Sequence, residues 1–220
     1  MDDRILAMCE LSNDLLFQKI PPERMAYYVD GALEAGRAAA GQFRGTDIRT
    51  LYQNSGIQIH RGGTGKKGYG VVLRGQATMS PTECSVEVYP DSIDELARHS
   101  TWEGRRLTGE EAMEVHLSHE FFHIWEYQQH RSIVEELDPV VSFTFLGLKR
   151  RSRINRCGEI AAHAFAKELL SLPCLPNLYD YLYLIDTEKM KRSDFEELCS
   201  RMERLLLGQS AQYAVKGGAK

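Results

Sequence analysis

The sequence predicts an α+β fold: a small, mainly antiparallel sheet packed with helices. Three observations predict it. Apolar residues recur with a helical period through the N-terminal quarter. The period then switches to the two-residue alternation of strands. It returns to the helical spacing beyond residue 91 and keeps it toward the C-terminus.

In order, residues 3–19 read as one amphipathic helix. "PPERMAYYVDGALEAGRAAAGQF" (21–43) reads as a second, its entry proline suited to a first turn. "TDIRTLYQNSG" (46–56) is a short third helix with Gly56 as its stop. "IQIH" (57–60), "GYGVVLRG" (68–75) and "CSVEVYP" (84–90) read as strands, with "RGGTGKKG" between the first two as a hairpin loop. "DSIDELARHS" (91–100) is a helix capped by Asp91 or Ser92. Thr108 and Glu111 make a capping box that opens a helix over 109–130. "RCGEIAAHAFAKELLSLP" (156–173) is stopped by its proline, a last helix covers 192–207, and "GQSAQYAVKGGAK" reads as a flexible tail. The expected organisation is an N-terminal helical segment (1–44), a core (45–173) and a C-terminal helical extension (174–220). No repeat or linker separates them, so one compact domain is expected.

The 220 residues suffice for a sizeable core, and a net charge of -4 gives no global pull toward nucleic acid or anionic membranes. No apolar run approaches the roughly 20 residues a membrane span needs. The acidic start "MDDRILAMCE" is unlike a secretory signal, so a cytoplasmic protein with no membrane partner is expected. Five cysteines, an odd number with no CxxC pair, argue against a disulfide framework or a thiolate zinc site.

The stretch "HLSHEFFHIWEYQQH" (116–130) carries the chemistry. Within it, His119-Glu120-Phe121-Phe122-His123 is an HExxH motif. Residues i and i+4 share a helix face, so both imidazoles can reach one ion while Glu120 stands beside them as a general base. That arrangement suits a zinc hydrolase, in which the metal polarises a carbonyl and acidifies water. The competing reading is a buried, histidine-rich helix without metal. The metzincin extension is absent: it needs glycine and histidine at the places of Glu126 and Gln129, and His130 falls one place late. His116 and His130 therefore read as neighbours of the site or as surface residues.

A two-histidine site needs a further ligand. Glu126, Glu135 and Glu136 lie on or just past the same helix, so folding back to the ion is awkward. Glu159 and Glu168 lie on the next strong helix, and Glu159 faces the small residues Ala162 and Ala166. Here the chain resembles the ImmA/IrrE metallopeptidases. The resemblance rests on HExxH together with Glu159, Ala162, His163, Phe165, Ala166, Glu168, Leu169, Leu170 and Pro173, and on the helix-to-strand entry "DIRTLYQNSGIQI". It covers roughly residues 45–173. It implies a zincin-like active-site helix and a Zn2+ ion held by His119, His123 and Glu159, with Glu120 as general base. It also implies a protein or peptide substrate, typically a transcriptional repressor of bacteria or their mobile elements. Three departures stand out. Phe122 occupies a usual glycine position, His163 stands at an asparagine-like position, and "VVSFTFLGLKRRSRINR" lengthens the gap to Glu159. His163, His116 and Tyr127 are candidate donors to an oxyanion or residues that steady a ligand. The rival within this fold is a catalytically silent regulatory or protein-binding module.

Three other features carry less. "LKRRSRINR" (148–156) reads as a solvated basic loop. "HRGGTGKKGYG" fails the phosphate-loop pattern at His60 and Lys67. "YDYLYLID" (179–186) is a packing stripe, and "CSVEVY" is a candidate sheet edge for strand addition. No helix-turn-helix is evident, and nucleic acid is not an expected partner.

Overall fold

The computed structural model describes residues 1–63, 65 and 72–216, with residues 209–216 given by their backbone course alone. It has the expected α+β composition. Helix α1 (Asp3–Leu11) starts where the Asp2 carboxylate accepts the Arg4 N–H, and it stops well short of residue 19. The reason is Asp14. Its carboxylate accepts the Leu16 N–H at 2.8 Å and the Arg156 N–H at 3.0 Å, which diverts the chain into a loop and a single 3-10 turn at Phe17–Lys19. Helix α2 (Met25–Gly41) follows, then α3 (Ile48–Asn54), capped by Asp47.

The central sheet holds β1 (Gln58–Arg61), β2 (Gly75–Met79) and β3 (Cys84–Val88) in the order β1-β3-β2. β1 runs parallel to β3 and β2 antiparallel to it, so this sheet is mixed. Three expectations are corrected here. The second strand lies at 75–79, beginning where the expected one ended; residues 68–71 are outside the described residues. β1 and β2 do not pair, so the glycine-rich segment between them links opposite edges of the sheet and is no hairpin loop. "CSVEVY" contains the middle strand and cannot receive an added strand; β2 is the edge nearest the histidine helix.

Helix α4 (Pro90–His99) starts at the proline, with no side-chain cap from Asp91 or Ser92. The Ser92 hydroxyl instead donates to the Leu73 carbonyl. A short hairpin, β4 (Thr101–Trp102) and β5 (Arg105–Arg106), leads into α5 (Gly109–Gln128), whose capping box forms as expected. After α6 (Ile133–Glu136) comes an unexpected antiparallel hairpin of β6 (Val140–Phe145) and β7 (Leu148–Ser152). The basic run is thus mostly strand. Its exposed cations follow no apolar alternation, which hides a strand from sequence. Helix α7 (Arg156–Leu170) ends on Ser171 with a left-handed backbone. The aromatic stripe belongs to α8 (Asn177–Asp186), which buries Leu178, Tyr179, Leu182 and Tyr183. Helix α9 (Arg192–Lys216) continues past the expected limit of 207.

The core sits where α5 and α7 meet the sheet and α2. Gly36 of α2 lies so close to α7 that a Cβ there would fall 2.1 Å from the Ala161 carbonyl oxygen. On the other side of α7, Phe121 and Phe122 of α5 pack against Phe165. The Tyr52 hydroxyl donates to the Leu117 carbonyl at 2.9 Å and ties α3 to α5. Among the described residues, no helix is long and apolar enough to cross a membrane.

Candidate metal centre

The capping box starts α5 at Gly109, and the 20-residue helix runs unbroken through the motif. His119 and His123 therefore fall one turn apart on one face, their Nε2 atoms 3.3 Å from each other. Helix α7 is anchored at its start by Asp14 and delivers Glu159 to the same point. The Glu159 Oε2 lies 3.2 Å from His119 Nε2, and its Oε1 lies 3.7 Å from His123 Nε2. One ligand atom from each of the three residues falls within 4.8 Å of the others, a group that could hold a metal ion. Three of the four other candidate carboxylates are occupied elsewhere. Glu126 accepts the Ile133 N–H, Glu136 pairs with Arg131, and Glu168 pairs with Arg44.

Electrostatics bind the three groups together. Burial alone would depress His119, but its hydrogen bond to Glu159 and the charges of Glu159, Glu120 and Glu10 outweigh burial and lift it to about 9. Burial alone would raise Glu159. The hydrogen bond from His119 and the positive charge around it hold the carboxyl well below its ordinary value instead. His123 is pushed down to about 4 by burial and by the charged His119. Without a metal, the three residues share one proton between His119 and Glu159. A divalent cation could replace it and satisfy all three donors at once. The side chains of His119 and Glu159 are 13% and 39% exposed, so the cluster opens to solvent on the glutamate side. A cavity of about 770 Å³ lies there, lined by Asp14, Leu16, Arg153, Arg156 and Glu159 among others.

Glu120 points away from this cavity's lining and toward the sheet edge. Its Oε2 accepts the Ala77 N–H of β2 at 3.0 Å. Gly75 makes room, because a Cβ there would meet Glu120 Cγ at 3.2 Å. Burial raises the Glu120 carboxyl, Glu159 raises it further, and the His119 charge and the Ala77 hydrogen bond only partly offset this.

His163 sits one turn after Glu159, its ring centroid 4.7 Å from that of His119. Its Nδ1 and the Nε2 of His116 are buried without a hydrogen-bond partner among the described residues. Both residues line a small cavity of about 20 Å³ together with Asp180. Burial drives both imidazoles down in pKa, His116 to about 3. Tyr127 is exposed and lines a separate groove with Ser80 and His130, away from Glu159. Phe122 is buried against Phe165 and Trp125, and its ring meets that of His123 edge-on with the centroids 5.9 Å apart.

Three contributors were not predicted from sequence. Ala77 holds Glu120 through its backbone, a contact that leaves no side-chain signature. Glu10 is buried beside the centre and accepts from Arg156 at 2.8 Å. Arg74 pairs with Asp180 at 2.6 Å close to His116. Gly75 was the one readable signal, as a glycine within a strand where another group approaches closely.

No family model matches the chain, and none of the curated proteins or solved structures compared with it matches either.

Proposed function

We propose that the chain is a zinc-dependent metallo-endopeptidase with a zincin-like active helix, similar to the ImmA/IrrE family and acting on a protein such as a transcriptional repressor. The observation that carries this reading is the convergence of His119, His123 and Glu159 from two helices, with Glu120 next to the first ligand. Two imidazoles and one carboxylate are a donor set that zinc accepts readily. An ion held there would supply a Lewis acid that polarises the scissile carbonyl and acidifies water. The chain's own groups do the rest. Glu120, with its raised pKa, accepts a proton and returns it to the leaving amine. The Ala77 N–H fixes which carboxylate oxygen faces the sheet. His163 packs on His119 and limits its rotation. A peptide laid along β2 would run past Glu120, in the place first assigned to "CSVEVY". The reading includes a cytoplasmic location, where all five cysteines stay free.

One feature favours the silent binding module instead: Glu120 is already engaged by Ala77. Metal analysis and kinetics separate the two. Protein purified without a histidine tag is expected to hold about one zinc per chain, lost in both His119→Ala and Glu159→Ala. Glu120→Gln is expected to keep the zinc and to lose peptide hydrolysis by roughly 10²–10⁴-fold. Zinc retained with no turnover in the wild type would leave the binding module. No zinc uptake at all would remove the catalytic reading.

A further inference from the structure

The β6–β7 hairpin stands out from the rest of the surface. Its tip is apolar throughout: Phe143 and Phe145 are each 60% exposed, Leu148 is 77% exposed and Leu146 is 86% exposed. The two phenylalanine rings stack on one face, their centroids 6.3 Å apart. Outside its own pairing, β6 packs against the Phe17–Lys19 turn at the base, so the tip is left uncovered.

Two further observations argue that the tip serves something outside the chain. The first is the turn. Leu146 and Gly147 both have positive φ, 47° and 81°, as in the tight turn that favours Asn-Gly. A leucine at the first position is disfavoured by its side chain, and at this exposure it gains no compensating burial. The second is charge. Lys149, Arg150 and Arg151 follow the tip directly, all exposed and without an ion pair among the described residues, in a chain whose net charge is -4.

The cross-strand register places these groups. Phe145 faces Leu148 at the tip, then Thr144 faces Lys149, Phe143 faces Arg150, and Val141 faces Arg151 across a bulge. Arg150 therefore shares a face with the phenylalanines, while Lys149 and Arg151 occupy the other. A plane meeting the hairpin end-on encounters apolar side chains first and cations on both faces one or two residues behind. A partner docking on one face of the ribbon would leave either Arg150 or both Lys149 and Arg151 unused.

We infer that the β6–β7 hairpin is a peripheral membrane-insertion element that seats on an anionic lipid bilayer. Its Phe and Leu side chains enter the acyl boundary, and Lys149, Arg150 and Arg151 meet the headgroups. This binding does not depend on the metal centre and needs no membrane-spanning segment. It runs against the expectation, from net charge and the lack of an apolar run, that no membrane is a partner. Those whole-chain measures average over a local apolar tip and a local cationic girdle.

The test is co-sedimentation of the full chain with vesicles of phosphatidylcholine alone and of phosphatidylcholine with phosphatidylserine. Wild type is expected to partition onto the anionic vesicles at least tenfold more strongly than onto neutral ones, and less so as salt is raised. Leu146→Asn with Leu148→Thr is expected to weaken that binding roughly tenfold or more. Asn suits the turn, so the hairpin should remain folded. Lys149→Glu with Arg151→Glu, confined to exposed positions, should weaken it at least as much. Absence of vesicle binding by wild type overturns the inference, as does equal binding by wild type and both variants. Binding to an oligothymidine strand without binding to vesicles assigns the stacked phenylalanines to single-stranded nucleic acid instead, and also overturns it.

Discussion

At the residue scale the decisive group is His119. In the metal-free protein Glu159 keeps it protonated up to about pH 9, whereas His123 is pushed down to about 4 and is already neutral at pH 7. A metal ligand must be neutral imidazole, so metal must displace the His119 proton. Zinc binding at pH 7 is therefore expected to release about one proton per ion. Titration calorimetry in buffers of different ionisation enthalpy measures that number directly. Apparent zinc affinity should rise roughly tenfold per pH unit from neutrality toward pH 9 and then level off. The sign for stability is opposite. The folded pKa of His119 lies above its ordinary 6.5 and that of Glu159 below its ordinary 4.5. The pair therefore stabilises the metal-free fold fully between about pH 4.5 and 6.5, loses that contribution as pH rises through about 9, and loses it again as pH falls below about 4.5. Release of no proton at pH 7 would contradict the geometry of the pair. HExxH was legible because i and i+4 spacing is local. Glu159 was legible from its small neighbours together with the family resemblance. The Glu120–Ala77 contact was not, because it joins a side chain to the backbone of a distant strand.

At the element scale, α2 lies tightly against α7. Gly36→Ala would drive a Cβ into the Ala161 carbonyl and to 2.8 Å from the Ala164 Cβ. Backbone cannot yield as a flexible side chain can, so α7 must shift and carry Glu159 with it. The expected cost is about 3 kcal/mol, which lowers Tm by roughly 6–12 °C in a chain of this size. Zinc affinity should fall with it. Gly41→Ala, at the end of the same helix with open space around it, is the control and should leave Tm unchanged or slightly higher. Equal melting of both variants would mean that α7 is not held by this contact. Helices with strong local signals, α5 with its capping box and α7 with its proline beyond, were readable from sequence. β2 and β7 were not. "GQATM" and "LKRRS" show exposed, polar or charged positions, and the pairing partner alone makes them strands.

At the scale of the whole molecule, the centre joins α5, which lies on the sheet, to α7, which lies on α1 and α2. A metal at that point clasps two halves of the core that otherwise meet through aromatic packing at Phe121, Phe122 and Phe165. Any ion that binds only the folded chain stabilises it by mass action, about 4 kcal/mol when free zinc is a thousand times its Kd. Chelation is therefore expected to lower Tm and to speed amide exchange near His119 in α5 and through the first turns of α7. The β6–β7 hairpin rests on the Phe17–Lys19 turn and its tip, Phe143 to Leu148, is exposed, so exchange at the tip should stay as it was. Uniform acceleration over the chain would mean that the ion supports global folding without clasping these two helices. Unchanged exchange throughout would mean that the aromatic contacts alone hold them, and that His119, His123 and Glu159 meet without need of a metal.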